Sequence, residues 1–250
     1  MTTRLILAGL AAAVLGIAPA APPPKDSAAV LDETVDAEAA GGTDQQKAAA
    51  RKTSANNLKQ IALAFHNSSD ANNRTWPGGI YDANGKALLS WRVQILPYLE
   101  QDALYKQFKL DEPWDSKNNL PLVEKMPAVF DSPRVKVKKG YTVYQGFAGD
   151  GALFGSANPL RFPHSFTDGT SNTILAVEAT TAVPWTKPAD VPYDAKKDLP
   201  DFGKAFDSTP LACICDGSVR VIDTRKVSQA TLKAAITPNG GEVLGPDWNN

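Results

Sequence analysis

The sequence is poor in the residues that build covalent cross-links and metal sites, with only two cysteines and two histidines among 250 residues. A zinc site needs three or four ligands from His, Cys and carboxylates at close spacing, and no such group is visible, so no metal or other cofactor is expected. Cys213 and Cys215 lie two apart in a predicted strand, with too little chain between them for a relaxed disulfide. We therefore expect both to be small buried apolar residues, in a fold that rests on its core.

The chain also lacks an excess of charge of either sign. Its 26 Lys and Arg residues face 27 Asp and Glu residues, which leaves a formal net charge of -1. A general nucleic-acid binder would need a basic surface, so nucleic acid is not an expected partner. Hydrophobic residues make up 43% of the chain and charged residues 21%, which are ordinary values for a globular protein.

The N-terminus contains an apolar run, residues 5–17, which follows the basic residue Arg4. The sequence Ala18-Pro19-Ala20 fits a small-residue cleavage site. The run is too short for a comfortable membrane span. We expect residues 1–20 to be a signal peptide and the protein to be exported, to the periplasm or outside the cell, with no stable membrane span after cleavage. The alternative is an uncleaved anchor helix.

The remaining chain divides into a short linker and one domain. Residues 21–42 are rich in proline, alanine and acidic residues, a composition that predicts a flexible linker. Residues 43–250 are expected to form a single globular domain, because this length suits one core and nothing suggests a second.

Residues 43–66 predict one long amphipathic helix. Apolar side chains recur there at the spacing of one helix face: Leu58, Ile61, Ala62 and Phe65. Thr43 and Gln46 have the spacing of a capping box at its start. The first half contains good helix formers but little apolar surface, so we expect a helix that begins exposed and packs its C-terminal half on the domain.

Helical patterns are followed by strand patterns along the chain. Residues 90–108 predict a second helical region that Pro97 should split, and residues 67–85 and 184–200 predict loops. Residues 173–179 predict a strand.

The C-terminal part predicts a hairpin. Residues 211–215 and 218–222 flank Asp216-Gly217, a strong signal for a hairpin with a type I′ turn. Residues 211–215 are apolar on both faces, so this strand should be central and covered. Together, these patterns predict an α+β fold, with the long helix packed on an antiparallel sheet and extended loops around it.

Several motifs occur together in one order along the chain. They are residues 56–67 (NNLKQIALAFHN), 89–93 (LSWRV), 96–101 (LPYLEQ), 110–116 (LDEPWDS), 168–174 (DGTSNTI) and 216–219 (DGSV). The chain thereby resembles the planctomycete-type secreted, pseudopilin-like family of unknown function known as domain-of-unknown-function-1559, over about residues 45–242. The resemblance implies a pilin-like fold.

The chain departs from the pattern of this family at its N-terminus and at three internal positions. Family members typically begin with a prepilin leader and a hydrophobic helix, whereas here a signal peptide and linker precede Thr43, which suggests a released headgroup. Ser54 and Ser132 stand where members often carry Cys, so both halves of a possible cross-link are absent. Phe206 stands where the family motif places a His, ten residues before Asp216.

Five side chains are candidate contacts for a ligand or partner: Trp76, Trp114, Trp185, Asp168 and Glu178. Trp76 and Trp185 could stack on a sugar ring, although a loop tryptophan more often fixes its own loop to the core. Asp168 most simply holds a turn. Trp114 lies among carboxylates that fit either a calcium site or solvated turns, and the turns are favoured.

Glu178 is the unusual member of this set. It lies within an apolar predicted strand, so it should face an edge or pair with a cation such as Lys187 or Arg92. His164 lies near Ser165 and four residues before Asp168, but no nucleophile elbow supports a hydrolase. No catalytic residue is therefore assigned.

The expected function is non-enzymatic. The resemblance favours an exported pseudopilin-like protein that acts through contacts with other envelope or secreted proteins. An older label of the family favours an extracellular solute- or glycan-binding module, and a hydrolase is the third alternative.

Overall fold

The predicted long helix is α1, Asp44–Ala71, in the computed structural model, which describes residues 35–249. The capping box is confirmed, since Thr43 Oγ1 accepts from the Gln46 N–H at 3.3 Å and Gln46 Oε1 accepts from the Thr43 N–H at 2.9 Å. The helix continues five residues beyond the predicted end at residue 66, to Ala71, and Asn72 is its C-cap. The predicted signal peptide, residues 1–20, lies outside the described residues.

The two halves of α1 have different surroundings, as the sequence indicated. No side chain is buried from Asp44 to Thr53, whereas Leu58, Ile61 and Phe65 are fully buried. The C-terminal half packs on strands of the main sheet and on the 3₁₀ helix Leu96–Leu99. The N-terminal half therefore projects from the body of the domain.

The other helices are short. The α-helices are α2 (Trp91–Gln94), α3 (Asp102–Tyr105) and α4 (Gln229–Ala234). The 3₁₀ helices are Leu96–Leu99, Leu120–Lys125, Ala128–Phe130, Lys204–Phe206 and Pro246–Asn249. Pro97 lies in the 3₁₀ helix between α2 and α3, so the predicted split of the second helical region is confirmed.

The strands are β1 (Val35–Asp36), β2 (Glu38–Ala39), β3 (Ile80–Tyr81), β4 (Ala87–Leu89), β5 (Val135–Lys136), β6 (Tyr141–Gln145), β7 (Phe147–Gly149), β8 (Ile174–Pro184), β9 (Val191–Tyr193), β10 (Leu211–Ile214) and β11 (Val219–Val221). The main sheet is antiparallel and has five strands. Its longest strand, β8, pairs with β1, β6 and β10, and β10 pairs with β11. The α+β class, with a long helix on an antiparallel sheet, is confirmed.

Apolar side chains cover both faces of this sheet. Along β10, Leu211 and Cys213 belong to the cluster that contains α1, whereas Ala212 and Ile214 belong to the cluster that contains α4. This alternation follows from the two-residue period of a strand. The strand is central and covered, as its apolar sequence predicted.

Short strands occur where the sequence predicted linker or loop. Residues 35–39 form β1 and β2, which pair with β8 and β5, so the folded part begins before residue 43. β3 and β4 form a hairpin within and after the predicted loop 67–85, and β9 pairs in parallel with β7 within the predicted loop 184–200. These pairings involve two or three residues per strand, too few for a periodic sequence pattern.

The hairpin at Asp216-Gly217 is present, but its turn differs from the prediction. Gly217 has φ +88°, whereas Asp216 has no positive φ, so the turn is not type I′. The Gly217 N–H donates to the Ile214 carbonyl at 2.9 Å. This pattern is typical of a type I turn followed by a glycine in the left-handed region, the second common way to close a hairpin.

We expect both thiols to be unreactive in the native protein. Cys213 and Cys215 are unpaired and fully buried, and burial raises the pKa of Cys213 to about 12 and that of Cys215 in the same direction. Because the thiolate is the reactive form, Ellman's reagent at pH 8 should label no thiol in the folded chain and two in guanidinium chloride. Stoichiometric labelling of the native protein within minutes would contradict this burial.

Candidate functional site

A buried carboxylate lies at the centre of the main sheet. Glu178 stands in the middle of β8 with none of its surface exposed. Its Oε1 accepts hydrogen bonds from Ser54 Oγ at 2.6 Å and from Ser132 Oγ at 3.2 Å. Its Oε2 accepts from the Leu211 N–H at 2.8 Å and forms a close ion pair with Arg134 Nη1. Both carboxylate oxygens are thus satisfied by four groups from three separate segments: α1, residues 132–134 and β10.

Tyr144 completes this group of polar side chains, here termed the Glu178 cluster: Ser54, Ser132, Arg134, Tyr144 and Glu178. Tyr144 lies opposite Glu178 in the register of β6 and β8, and its hydroxyl is 2.7 Å from Ser54 Oγ. Because Ser54 donates its proton to Glu178, Tyr144 must be the donor to Ser54. Burial raises the pKa of Tyr144 to about 12, so its hydroxyl keeps the proton that this bond requires.

Burial and charge act against each other in the ion pair. Burial raises the pKa of Glu178, and the charge of Arg134 opposes that shift. Burial likewise lowers the pKa of Arg134, and the charge of Glu178 opposes it. Each ion is tolerated in the interior because the other is present.

The predicted cation partners of Glu178 were wrong. Arg92 pairs instead with Asp190 at 2.9 Å and donates to the Tyr144 carbonyl at 2.7 Å. The observed partner, Arg134, belongs to the basic segment of residues 134–139. A pairing between residues 44 positions apart leaves no periodic signal along the chain.

Arg134 also borders a groove, here termed the helix groove, with a volume of about 670 Å³. The groove lies between the exposed half of α1 and the chain at residues 39–41, 133–134 and 205–207. Lys47, Arg51 and Arg134 line it, with Asp207 as the acidic residue. The Glu178 cluster therefore supports the wall of the groove that faces α1, and the two basic residues on the α1 side are Lys47 and Arg51.

The three internal positions at which the chain was expected to depart from the family pattern lie close together at this place. Ser54 Oγ and Ser132 Oγ are 3.5 Å apart beside Glu178. Phe206, which was expected to replace a family histidine, is buried, and its ring lies 4.9 Å from the Arg134 guanidinium. Sequence reasoning linked Ser54 with Ser132 through the possible cross-link, but it noted Phe206 separately and did not predict that all three lie close together.

Two of the candidate tryptophans have no ring face available to a sugar. Trp185 is fully buried, its Nε1 donates to the Val123 carbonyl at 3.0 Å and its ring stacks on Phe130. Trp76 is 2% exposed and stacks on Phe162 with ring centroids 4.8 Å apart. Both side chains fix their own segments to the core, which is the simpler of the two roles considered for a loop tryptophan.

The other candidates lie in separate surroundings. Trp114 is buried, with Lys187 Nζ 5.5 Å from its ring. Asp168 accepts from the Gly241 N–H through its carboxylate and from Asn172 Nδ2 through its carbonyl, which ties a turn to a neighbouring loop. Within residues 35–249, no hydrogen bond, ion pair or ring contact joins any two of the five candidates, and only Glu178 belongs to the cluster.

The residues considered for a hydrolase or metal site show no catalytic arrangement. His164 is exposed, and the neighbouring Ser165 Oγ accepts from the Arg161 N–H at 3.0 Å. Glu112 accepts from Asn118 Nδ2 at 2.8 Å. Within the described part of the chain, no three His, Cys, Asp or Glu side chains come together as metal ligands would.

The fold and the groove define an α+β protein with a long, half-exposed helix. One comparison supports the family that the motifs resembled, over the N-terminal part of the predicted range 45–242. Residues 45–151 match the family described as "Protein of unknown function (DUF1559)". No curated protein and no solved structure matches the chain. Between residues 35 and 249, no helix has both the length and the apolar character that a membrane crossing requires.

Proposed function

We propose that this protein is exported and acts, without enzymatic activity, as a pseudopilin-like headgroup that binds other envelope or secreted proteins. The observation that carries the proposal is the exposed N-terminal half of α1 beside the helix groove. A free helical segment of about ten residues is marginally stable in water. Here it is held by a capping box at one end and by the packed half of the same helix at the other, and so it presents a preformed surface.

The charges around the helix groove indicate the kind of partner. Lys47 and Arg51 stand on the exposed half of α1. Arg134 lines the opposite wall, but its charge is already paired with Glu178, and Asp207 balances one of the two helix charges. An acidic segment of a partner protein would complement this surface and would associate faster at low salt.

Photo-cross-linking in the native host tests the proposed contact. A photoreactive amino acid at Lys47, inside the groove, should cross-link to a defined envelope or secreted protein, and the additional change Arg51→Glu should remove that product. The matched control places the same photoreactive group at Lys117, which is exposed and does not line the groove. Equal products at both positions, or none at Lys47, would refute contact through the helix groove.

Export is tested separately by identifying the N-terminal peptide and its cell fraction by mass spectrometry. A chain that begins near residue 21 in the periplasm or medium is the expected result. A chain that retains Met1 in the membrane fraction would show that the apolar segment is an anchor, and recovery from the cytoplasm would refute export.

A further inference from the structure

A second groove lies at the other end of α1, about 35 to 40 Å from Lys47 at 1.5 Å per helical residue. It has a volume of about 490 Å³, within the usual range of small-molecule sites. We term it the amide groove, after the amide side chains of Asn72, Asn73 and Gln94. Thr75, Tyr98 and Tyr105 also line it. None of its lining side chains is charged.

Two of the amide side chains are held in fixed orientations. Asn72 Nδ2 donates to the Ser68 carbonyl at 2.8 Å and to the Tyr98 hydroxyl at 2.9 Å, which leaves the Tyr98 proton available to a ligand. Gln94 Oε1 accepts from the Gly79 N–H at 2.9 Å. The other end of that amide, Gln94 Nε2, has no hydrogen-bond partner within residues 35–249. The groove thus offers oriented donors that the fold itself does not use.

The two tyrosines add flat apolar surface to these polar groups. Tyr98 and Tyr105 are both partly exposed. The pKa of Tyr105 is raised, first by burial and then by the neighbouring Tyr98, so its hydroxyl stays protonated at neutral pH. A tyrosine that is apolar on its ring and polar at its tip suits a ligand with both kinds of surface.

The chemistry of the lining selects one class of ligand. Amides and hydroxyls both donate and accept hydrogen bonds, as sugar hydroxyls do, and ring faces pack on the C–H face of a sugar. The groove lies at the C-terminal end of α1, where the helix dipole is negative and disfavours anions. We propose that the amide groove binds a neutral carbohydrate. This proposal is independent of the partner contact at the helix groove, because the two sites occupy opposite ends of the helix.

The test begins with an array that carries neutral hexose and N-acetylhexosamine oligosaccharides together with sulfated glycans. The strongest neutral binder is then titrated calorimetrically into the full domain and its variants. Tyr105→Ala should weaken binding at least tenfold through loss of the ring. Gln94→Glu should weaken it similarly, because it removes the free amide donors but keeps an oxygen for Gly79.

Gln107→Glu is the matched control, because Gln107 is exposed and lies outside the groove lining. The affinity of this variant for the carbohydrate should equal that of the wild type. If Tyr105→Ala does not fold, Tyr105→Phe keeps the ring and should lose two- to fivefold. Binding of only sulfated glycans, binding of none, or affinity unchanged in Gln94→Glu and the tyrosine variant would each overturn the proposal.

Discussion

Glu178→Ala is expected to lower the free energy of unfolding by about 3–5 kcal/mol, the usual cost of removing one partner of a buried ion pair. The loss is large because Arg134 would remain buried without its counter-ion. In addition, the Leu211 N–H and two serine hydroxyls would lose their acceptor. Urea unfolding followed by tryptophan fluorescence measures the difference, since tryptophan side chains lie in both core clusters.

The control for this variant is Glu124→Ala. Glu124 and Lys139 form an ion pair of 3.5 Å in which both side chains are 76% exposed. Such surface pairs contribute about 0–1 kcal/mol, so this change should be nearly neutral. Equal losses in the two variants would contradict the role of Glu178. Glu178→Gln with Arg134→Met should recover much of the loss, because it removes both charges but keeps an acceptor for Leu211.

The same carboxylate should also give stability a pH dependence of known sign. The pKa of Glu178 is raised in the folded state above its ordinary value of 4.5, so the folded chain binds more protons than the unfolded chain just above pH 4.5. The contribution of Glu178 to the unfolding free energy therefore falls as pH rises from 4.5 toward the folded pKa, and is greatest below that window. The difference in pH profile between the wild type and Glu178→Gln isolates this contribution.

The double variant Ser54→Cys and Ser132→Cys is expected to form a disulfide that makes the oxidised form about 2–4 kcal/mol more stable than its own reduced form. The two hydroxyl oxygens are 3.5 Å apart, and the bond would close a loop of 78 positions between α1 and the segment before β5. The gain is expected in the oxidised state because the cross-link reduces the conformational freedom of the unfolded chain. Melting temperature with and without dithiothreitol measures it.

Two observations make this experiment specific. The native Cys213 should not compete for the new thiols, because burial raises its pKa to about 12. The single variants lose one hydrogen bond to Glu178 and gain no cross-link, so each should be less stable than the wild type under both conditions. A double variant that stays reduced after mild oxidation would show that these two positions do not suit a disulfide.

Local sequence patterns predicted the parts of the fold that depend on residues close together in the chain. The capping box at Thr43, the buried face of α1, the division at Pro97 and the covered strand β10 all follow from spacings within a few residues. The turn at Asp216-Gly217 was predicted in position but not in type. Both turn types place glycine at positive φ, so the dipeptide alone does not distinguish them.

The candidate site was less predictable because it depends on contacts between distant segments. Glu178 was recognised as unusual, since a carboxylate within an apolar strand requires compensation. Its partner, Arg134, was missed because nothing local to either residue specifies the other. The same limit explains why the sequence did not predict that the rings of Trp76 and Trp185 are covered. The sequence indicates that a loop contains an aromatic residue, but only the packed chain shows which ring faces are covered.

The two short strands that precede α1 have a mechanical consequence. A pull on the chain before residue 35 would first load the backbone hydrogen bonds of residues 35–40, among them those from the Ala37 N–H to the Thr180 carbonyl and from the Ala40 N–H to the Arg134 carbonyl. These few bonds would yield one after another, while the long strand β8 and the packed half of α1 remained unloaded. A domain held by its N-terminal segment would thus lengthen under tension without disturbing its core.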